Sequence, residues 1–244
     1  MQPPAPPLRS VRDILEKQDV PQLKLQVNHA AQLGDADRLY LLLKAAAQLN
    51  NQQTLNQAID VTETKNQDNA TPLFQAAKNG NLECVKLLIN ARACVTAKTK
   101  AGFTPLWIAS LRGKHEVLAL LLKQYGVAVN QPALDGRTPL YAACESGNAE
   151  CVRLLIRAGA SLESKRNDDT TPLIVAAYFG HESVVELLLE QGASLFPRDE
   201  DGNALDNARR QKRWRCVDLI LQALDDRGMT ESDLPQEGDI VIPP

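Results

Sequence analysis

The sequence predicts an all-helical solenoid of about six stacked helix-turn-helix units. A Thr-Pro-Leu tripeptide starts at Thr71, Thr104, Thr138 and Thr171, at spacings of 33, 34 and 33 residues. In each copy an alanine follows five residues after the threonine, a glycine nine residues after it and a Leu-Leu pair from sixteen residues after it. An internal period of this length is typical of repeat architectures, in which each unit packs on its neighbours.

Each recurring residue has a physical role within a unit. Threonine caps the N-terminus of a short first helix, and proline fits the first helical turn, where no N–H partner is lost. The alanine lets neighbouring helices approach closely, and the glycine ends the first helix in a left-handed conformation. The leucine pair provides the apolar face of a second helix. Asp135-Gly136 and Asp201-Gly202 predict hairpin-type turns between units.

These features resemble the ankyrin repeat family. The copy at 171–193 matches the family pattern throughout, except that the histidine usual after Thr-Pro-Leu is missing, as it is in every copy. Phe74, Trp107, Tyr141 and Ile174 stand at that position. The resemblance implies an ankyrin-repeat solenoid whose units are joined by β-hairpin-like tips. Without this histidine, its usual hydrogen bonds to nearby backbone are not expected, but the expected fold is unchanged.

The repeat domain is predicted to span residues 25–224. Its units are a degenerate first repeat at 25–70, regular repeats at 71–103, 104–137, 138–170 and 171–202, and a degenerate capping repeat at 203–224. An insertion within 44–58 is expected to prolong a helix or form a loop. A Pro-rich tail with a short helix is predicted at 1–24. An acidic tail of net charge −5 at 225–244 is expected to be disordered or to fold over the basic last repeat.

Composition and charge exclude several classes of protein. The 244 residues are 44% hydrophobic and 23% charged with a net charge of −3, which is typical of a soluble globular chain and disfavours nucleic acid as a partner. No apolar run approaches the roughly 18 residues of a membrane span, and no secretory signal pattern precedes the repeats. Five cysteines, an odd number, favour reduced thiols. We expect a monomer in the cytoplasm or the nucleus that does not bind membranes.

The sequence contains no residue pattern typical of catalysis. Dinucleotide-binding, P-loop, metalloprotease and nucleophile-elbow motifs are all missing. Cys84, Cys151 and Cys216 share one repeat position, where cysteine acts as a small core residue. His115 and His181 are interpreted as polar residues at helix starts. We therefore predict that the chain is not an enzyme and needs neither a cofactor nor a metal.

The ankyrin resemblance implies that a protein partner binds a groove formed by first helices and hairpin tips. Six of the ten aromatic residues fall there, and aromatic and arginine side chains dominate binding hot spots. Packing is the favoured alternative for Trp107 and Tyr141, which replace the family's half-buried histidine. The predicted partner-binding residues are Phe103, Trp107, Arg112, Arg137, Tyr141, Tyr178 and Phe179.

The predicted function is that of an adaptor, scaffold or inhibitor acting through this groove. The alternative is a regulatory or substrate-targeting subunit of an enzyme complex, since a fold alone does not decide between these roles. The charges of the hairpin tips run from basic to acidic along the stack, a gradient that can orient a partner of mixed charge.

Two short motifs lie outside the regular repeats. Arg209, Arg210, Lys212, Arg213 and Arg215 form a basic cluster in the last unit. It is interpreted as a polar cap face, with a nuclear-import signal or an acidic-partner site as alternatives. The pattern Pro4-x-x-Pro7-x-Arg9 resembles a ligand of SH3 domains, with a plain disordered tail as the alternative.

Overall fold

A computed structural model describes residues 20–48 and 69–235. These residues form twelve α-helices in six pairs, followed by a 3₁₀ turn at Glu231–Asp233. The helices are α1 Val20–Leu33, α2 Ala36–Gln48, α3 Pro72–Asn79, α4 Leu82–Asn90, α5 Pro105–Leu111, α6 His115–Leu122, α7 Pro139–Glu145, α8 Ala149–Arg157, α9 Pro172–Phe179, α10 Glu182–Glu190, α11 Ala204–Arg210 and α12 Trp214–Asp226. The first helices of successive pairs pack on one another, and so do the second helices. The predicted all-helical solenoid is confirmed.

The first helix of each regular repeat begins directly after its threonine, which caps the helix as predicted. The threonine Oγ accepts a hydrogen bond of 3.1–3.4 Å from the backbone N–H three residues later in all four copies. The last unit lacks Thr-Pro-Leu but keeps a cap. There, Asn203 Oδ1 accepts from Asp206 N–H, and Asp206 Oδ2 accepts from Asn203 N–H, both at 3.0 Å. A reciprocal box of this kind satisfies two orphan donors, so the degenerate unit still starts a helix.

The core lies between the two layers of helices and runs through all six pairs. The alanines that follow the repeat threonine, at positions 76, 109, 143 and 176, are completely buried. Cys84, Cys151 and Cys216 are each about 1% exposed, which agrees with their interpretation as small core residues. Small side chains at these positions let the helices approach closely, and the leucines and valines of the second helices fill the remaining space.

A polar side chain at the start of four second helices reaches back to the preceding repeat. It hydrogen-bonds the last backbone carbonyl groups of that repeat's first helix, which have no partner within the helix. We call these four side chains the ladder residues: Asn81, bonded to Ala31 O at 2.9 Å, Asn148, bonded to Ser110 O and Leu111 O at 3.4 Å, His181, bonded to Glu145 O at 3.0 Å, and Arg213, bonded to Tyr178 O at 3.3 Å. Since a carbonyl only accepts, His181 makes its bond as the Nε2–H tautomer.

The ladder explains why a glycine ends the first helix. Gly147 has φ +73°, a left-handed conformation that favours glycine. A Cβ atom there would also lie 2.5 Å from Nδ1 of His181, so the ring could not keep its place. Gly34, Gly113 and Gly180 have the same two properties towards Asn81, Asn148 and Arg213. The glycine is therefore needed both for its backbone angle and for the space that it leaves to the next repeat.

The first unit differs from the regular repeats in helix length. Its first helix begins at Val20, five residues before the boundary expected at 25, and its second helix has 13 residues where the four regular units have eight or nine. The second helix thus reaches Gln48, within the predicted insertion at 44–58. Residues 49–68, which hold the rest of that insertion, lie outside the described part of the chain.

The segment after α12 packs on the last repeat instead of leaving it. Leu234 is 3% exposed, and the Arg209 guanidinium forms a two-pronged ion pair with the Glu231 carboxylate at 2.7 and 2.8 Å. This pairing lowers the pKa of Glu231. Arg227 donates to Ala193 O at 2.9 Å and to Leu189 O at 3.1 Å, at the end of α10. The sequence leaves the acidic tail either disordered or folded over the basic last repeat. Its residues 227–235 pack on the repeats, and residues 236–244 lie outside the described part of the chain.

The ladder predicts unequal costs for two glycine substitutions. Gly147→Ala adds left-handed strain and displaces His181, whereas Gly159→Ala adds only the strain, because no atom lies within 4 Å of its Cβ. We expect the free energy of unfolding to fall by about 2–4 kcal/mol for Gly147→Ala and by about 1 kcal/mol for Gly159→Ala. Urea denaturation of both variants measures the difference, and equal losses would contradict the role given to the ladder.

Candidate partner-binding groove

A cavity of about 300 Å³ opens between the first helices of the last three repeats and their hairpin tips. Its walls come from α7, α9 and α11 and from the turns around 166–170 and 199–201. We call this cavity and its rim the groove. It lies on the face of first helices and hairpin tips, at the fourth to sixth repeats, and three of the seven predicted residues line it. Its size is at the lower end of that of ligand pockets. It therefore suits one or two side chains of a partner better than a broad surface.

Tyr178 and Phe179 form the exposed aromatic wall of the groove. They are the last two residues of α9, and they are 36% and 42% exposed. Their rings pack edge to face with centroids 5.1 Å apart, and the Phe179 ring also stacks on His181 at 5.9 Å. Because His181 and Arg213 are ladder residues, the contacts that join the repeats also hold this aromatic pair in place.

A second cluster of predicted site residues lies one repeat earlier, between α5 and the 135–136 turn. The rings of Phe103 and Trp107 stack with centroids 3.9 Å apart, and the Arg137 guanidinium lies over both, at 5.6 and 5.1 Å. The Trp107 indole N–H donates to Arg137 O at 3.2 Å. Trp107 stands at the position of the family's usual histidine, so in this repeat its indole makes a hydrogen bond to the backbone there.

Arg137 is held by two carboxylates of its own chain. Its Nε donates to Asp135 at 2.6 Å, and its Nη1 donates to Glu145 at 2.9 Å. Burial lowers the pKa of Arg137, but the hydrogen bonds and charges of these two carboxylates outweigh burial and leave it above its ordinary value. Arg137 therefore joins the hairpin turn to α7, and little of its charge is available to a partner.

The predicted site residues divide between packing and exposure. Trp107 and Tyr141 are each 2% exposed, so they act by packing, the alternative favoured for both from the sequence. Burial, together with the charge of Glu145, raises the pKa of Tyr141 to about 12. Arg112 is exposed at the end of α5, away from the lining of the groove. Of the seven residues, only Tyr141, Tyr178 and Phe179 line the groove.

The sequence-based site omits the carboxylates that the fold assembles. The fourth repeat contributes Glu145 and Asp168 to the lining of the groove, and the fifth repeat contributes Asp199, Glu200 and Asp201. The ladder residues were missed as well, although one signal was available. Each lies directly after the residue that ends the first helix of its repeat with a positive φ, and each is polar.

The basic cluster of the last unit is largely engaged within the chain. Arg209 pairs with Glu231, Arg210 pairs with Asp201, and Arg213 bonds Tyr178 O. These contacts agree with the cap interpretation, and the nuclear-import signal stays a prediction. The SH3-ligand residues Pro4, Pro7 and Arg9 lie outside the described residues.

The metal-ligating side chains, the helix lengths and the cysteines of the described residues bear on other kinds of function. Residues 20–48 and 69–235 hold no cluster of three His, Cys, Asp or Glu side chains suited to a metal ion. No helix among them has the length and apolarity to cross a bilayer. Burial raises the pKa of Cys151 and of Cys216 to about 11, so both stay protonated thiols at neutral pH and are poor nucleophiles.

Comparison with known proteins finds similar repeats in relatives of several kinds. A sequence model of ankyrin repeats in three copies matches residues 27–133 and 125–199. A probable E3 ubiquitin-protein ligase of Oryza sativa subsp. japonica, XBOS31, is 32% identical over 51% of this chain and 25% of its own length. The rat cortactin-binding protein 2 is 52% identical over 17% of this chain and 2% of its own. The human ankyrin repeat and SOCS box protein 2 is 31% identical over 34% of this chain and 13% of its own. The chain thus spans a quarter or less of these relatives.

The position of Arg137 predicts that its loss lowers stability. Arg137→Ala removes two charged hydrogen bonds and the cover over the Phe103–Trp107 stack, so we expect the free energy of unfolding to fall by about 1–3 kcal/mol. The matched control is Arg153→Ala, whose side chain is 46% exposed and pairs with the exposed Glu150 at 3.5 Å, and it should cost less than about 0.5 kcal/mol. Chemical denaturation compares the two, and an Arg137→Ala variant as stable as Arg153→Ala would refute the structural role.

Proposed function

Because the chain belongs to the ankyrin repeat family, whose members are protein-interaction modules, we propose that it binds a protein partner in the groove and acts as an adaptor, scaffold or inhibitor. The observation that supports this proposal is the exposed Tyr178–Phe179 pair on the wall of the cavity. Adjacent exposed aromatic rings are uncommon on a monomer surface, and they mark interaction sites when they border a cavity.

The surroundings of the pair suit a binding hot spot. Phe179 is held by an edge-to-face contact with Tyr178 and by stacking on His181, and the backbone of Tyr178 is held by Arg213. A partner therefore meets rings that are already ordered, and little conformational entropy is lost on binding. Buried Ile174 and Val175 extend the apolar surface into the cavity, while polar residues form its rim.

The alternative proposal is a substrate-targeting or regulatory subunit of an enzyme complex. Its support is that two relatives, from Oryza sativa, are named probable E3 ubiquitin-protein ligases, and that another is named for a SOCS box. The similarity to these relatives covers between a third and a half of this chain. Under this alternative the same groove holds a substrate for chemistry carried out by another protein.

The proposal predicts that partner capture depends on the aromatic pair. The double variant Tyr178→Ala/Phe179→Ala should lose at least about tenfold in affinity, because each hot-spot aromatic contributes about 1–2 kcal/mol or more. Since both rings are partly exposed, the variant should keep the helical circular dichroism of the wild type. Quantitative pull-down followed by titration of the captured protein measures the effect.

The matched control is Tyr125→Ala. Tyr125 is a fully exposed aromatic residue in the loop after α6, and it does not line the groove. Its loss should leave affinity unchanged. If the double variant binds the captured protein as well as the Tyr125 variant does, the groove is not the binding site.

Activity measurements on the captured protein separate the scaffold, inhibitor and targeting roles. A scaffold leaves the partner's own activity unchanged, an inhibitor lowers it, and a targeting subunit increases modification of the captured protein by an added enzyme. The Tyr178→Ala/Phe179→Ala variant should abolish either change. An increase in modification that survives in this variant would refute targeting through the groove.

A further inference from the structure

We propose that the groove selects a partner segment that carries a lysine or arginine next to an apolar residue. The cationic end of that side chain would lie at the hairpin tip around Asp199 and Glu200, and its apolar part along Tyr178 and Phe179. This inference rests on the proposed function and adds the chemistry of the partner. The pairing of charges around the cavity supports it.

Five carboxylates line the groove, and three of them are matched by arginines of the same chain. Glu145 pairs with Arg137 at 2.9 Å, Asp168 pairs with Arg166 at 3.0 Å, and Asp201 pairs with Arg210. Asp199 and Glu200 have no arginine or lysine within salt-bridge distance in the described part of the chain. The groove is thus left with a local formal charge of −2, located on one tip.

The contacts of Asp199 hold its carboxylate in place without neutralising it. Its oxygens accept hydrogen bonds from Asp201 N–H at 2.9 Å, from the Asn207 amide at 3.2 Å and from the Thr170 hydroxyl at 3.4 Å. All three donors are uncharged, so the negative charge stays and its direction is set. A fixed carboxylate of this kind attracts a partner cation without first being reoriented.

The aromatic wall fits the rest of a basic side chain. Lysine and arginine place their methylene stems on apolar surface and extend the charged group towards polar atoms. A cation near the face of an aromatic ring gains about 0.5–1 kcal/mol at an exposed site. Tyr178 and Phe179 line the same cavity as Asp199 and Glu200, so a single side chain can meet both surfaces.

The hairpin tip between the second and third repeats disfavours a basic side chain as occupant. Lys98 and Lys100 are exposed on the tip between the second and third repeats, and a basic segment placed there would be repelled. Lys165 and Arg166, on a middle tip, are paired with Asp169 and Asp168. Complementarity therefore places the partner's cation at the fifth and sixth repeats.

The test uses the full chain and an immobilised library of ten-residue peptides. One position is Lys, Arg, Glu or Leu, its neighbours are apolar, and the remaining positions are random. Wild-type protein should be retained about fivefold more on the Lys and Arg peptides than on the Glu peptides, as expected for one surface ion pair plus one cation–π contact. The preference should weaken at about 0.5 M salt, which screens exposed charges.

Two variants with the same change of net charge give the control. Glu200→Lys should abolish the preference for Lys and Arg. Glu190→Lys, at the end of α10 and outside the groove, should keep it. Loss of the preference in both variants would indicate an effect of overall charge and would overturn the assignment to the tip.

The remaining outcomes separate this inference from the proposed function. Peptide retention that needs Tyr178 and Phe179 but shows no preference for Lys or Arg overturns the inference and leaves the groove as a binding site. Retention that is indifferent to these rings overturns both. If no peptide is retained, or if acidic peptides are preferred, the groove does not select a short basic segment.

Discussion

The array depends on one kind of interaction, the hydrogen bonds by which four of the repeats close the first helix of the repeat before them. A first helix of seven or eight residues leaves about half of its carbonyl groups without a partner, and a buried carbonyl in that state costs free energy. Asn81, Asn148, His181 and Arg213 supply the missing donors from the next repeat. They can do so only where the preceding helix ends without a Cβ atom in their path. One glycine thus sets both the end of a helix and the spacing of two repeats.

This spacing positions the groove. Tyr178 and Phe179 end a helix whose last carbonyl groups are held by the ladder, so their rings have little freedom although they are exposed. Because successive first helices pack on one another, carboxylates from the fourth and fifth repeats line one cavity together with α11 of the sixth. The groove is therefore a product of stacking, and a change in the register of one repeat would displace its walls relative to one another.

Residues of the same type have different roles along the array. Arg137 and Arg209 are both bonded to carboxylates of the same chain, the first to organise a tip and the second to hold the segment that follows α12. The aromatic residues divide in the same way, with Trp107 and Tyr141 buried and Tyr178 and Phe179 exposed. At the sixth repeat, residues of the segment that follows α12 pack on the helix pair, among them Leu234. Terminal units of repeat proteins need such a cap because they have only one neighbour.

The sequence alone determined the class of fold, the number of repeats, the caps and the buried positions, because these follow from local preferences repeated every 33 or 34 residues. A threonine followed by proline starts a helix wherever it occurs, and an alanine at a constant offset meets its equivalent in the next unit. The tertiary structure alone decided that Arg137 is already paired with two carboxylates, and that Glu145, Asp168 and Asp199 line one cavity. The lining of the cavity depends on distances between residues about 20 to 55 positions apart, and the pairing of Arg137 depends on how the 135–136 turn lies against α7. No local pattern encodes either. Stacking sets these distances, and with them the charge that a partner would meet.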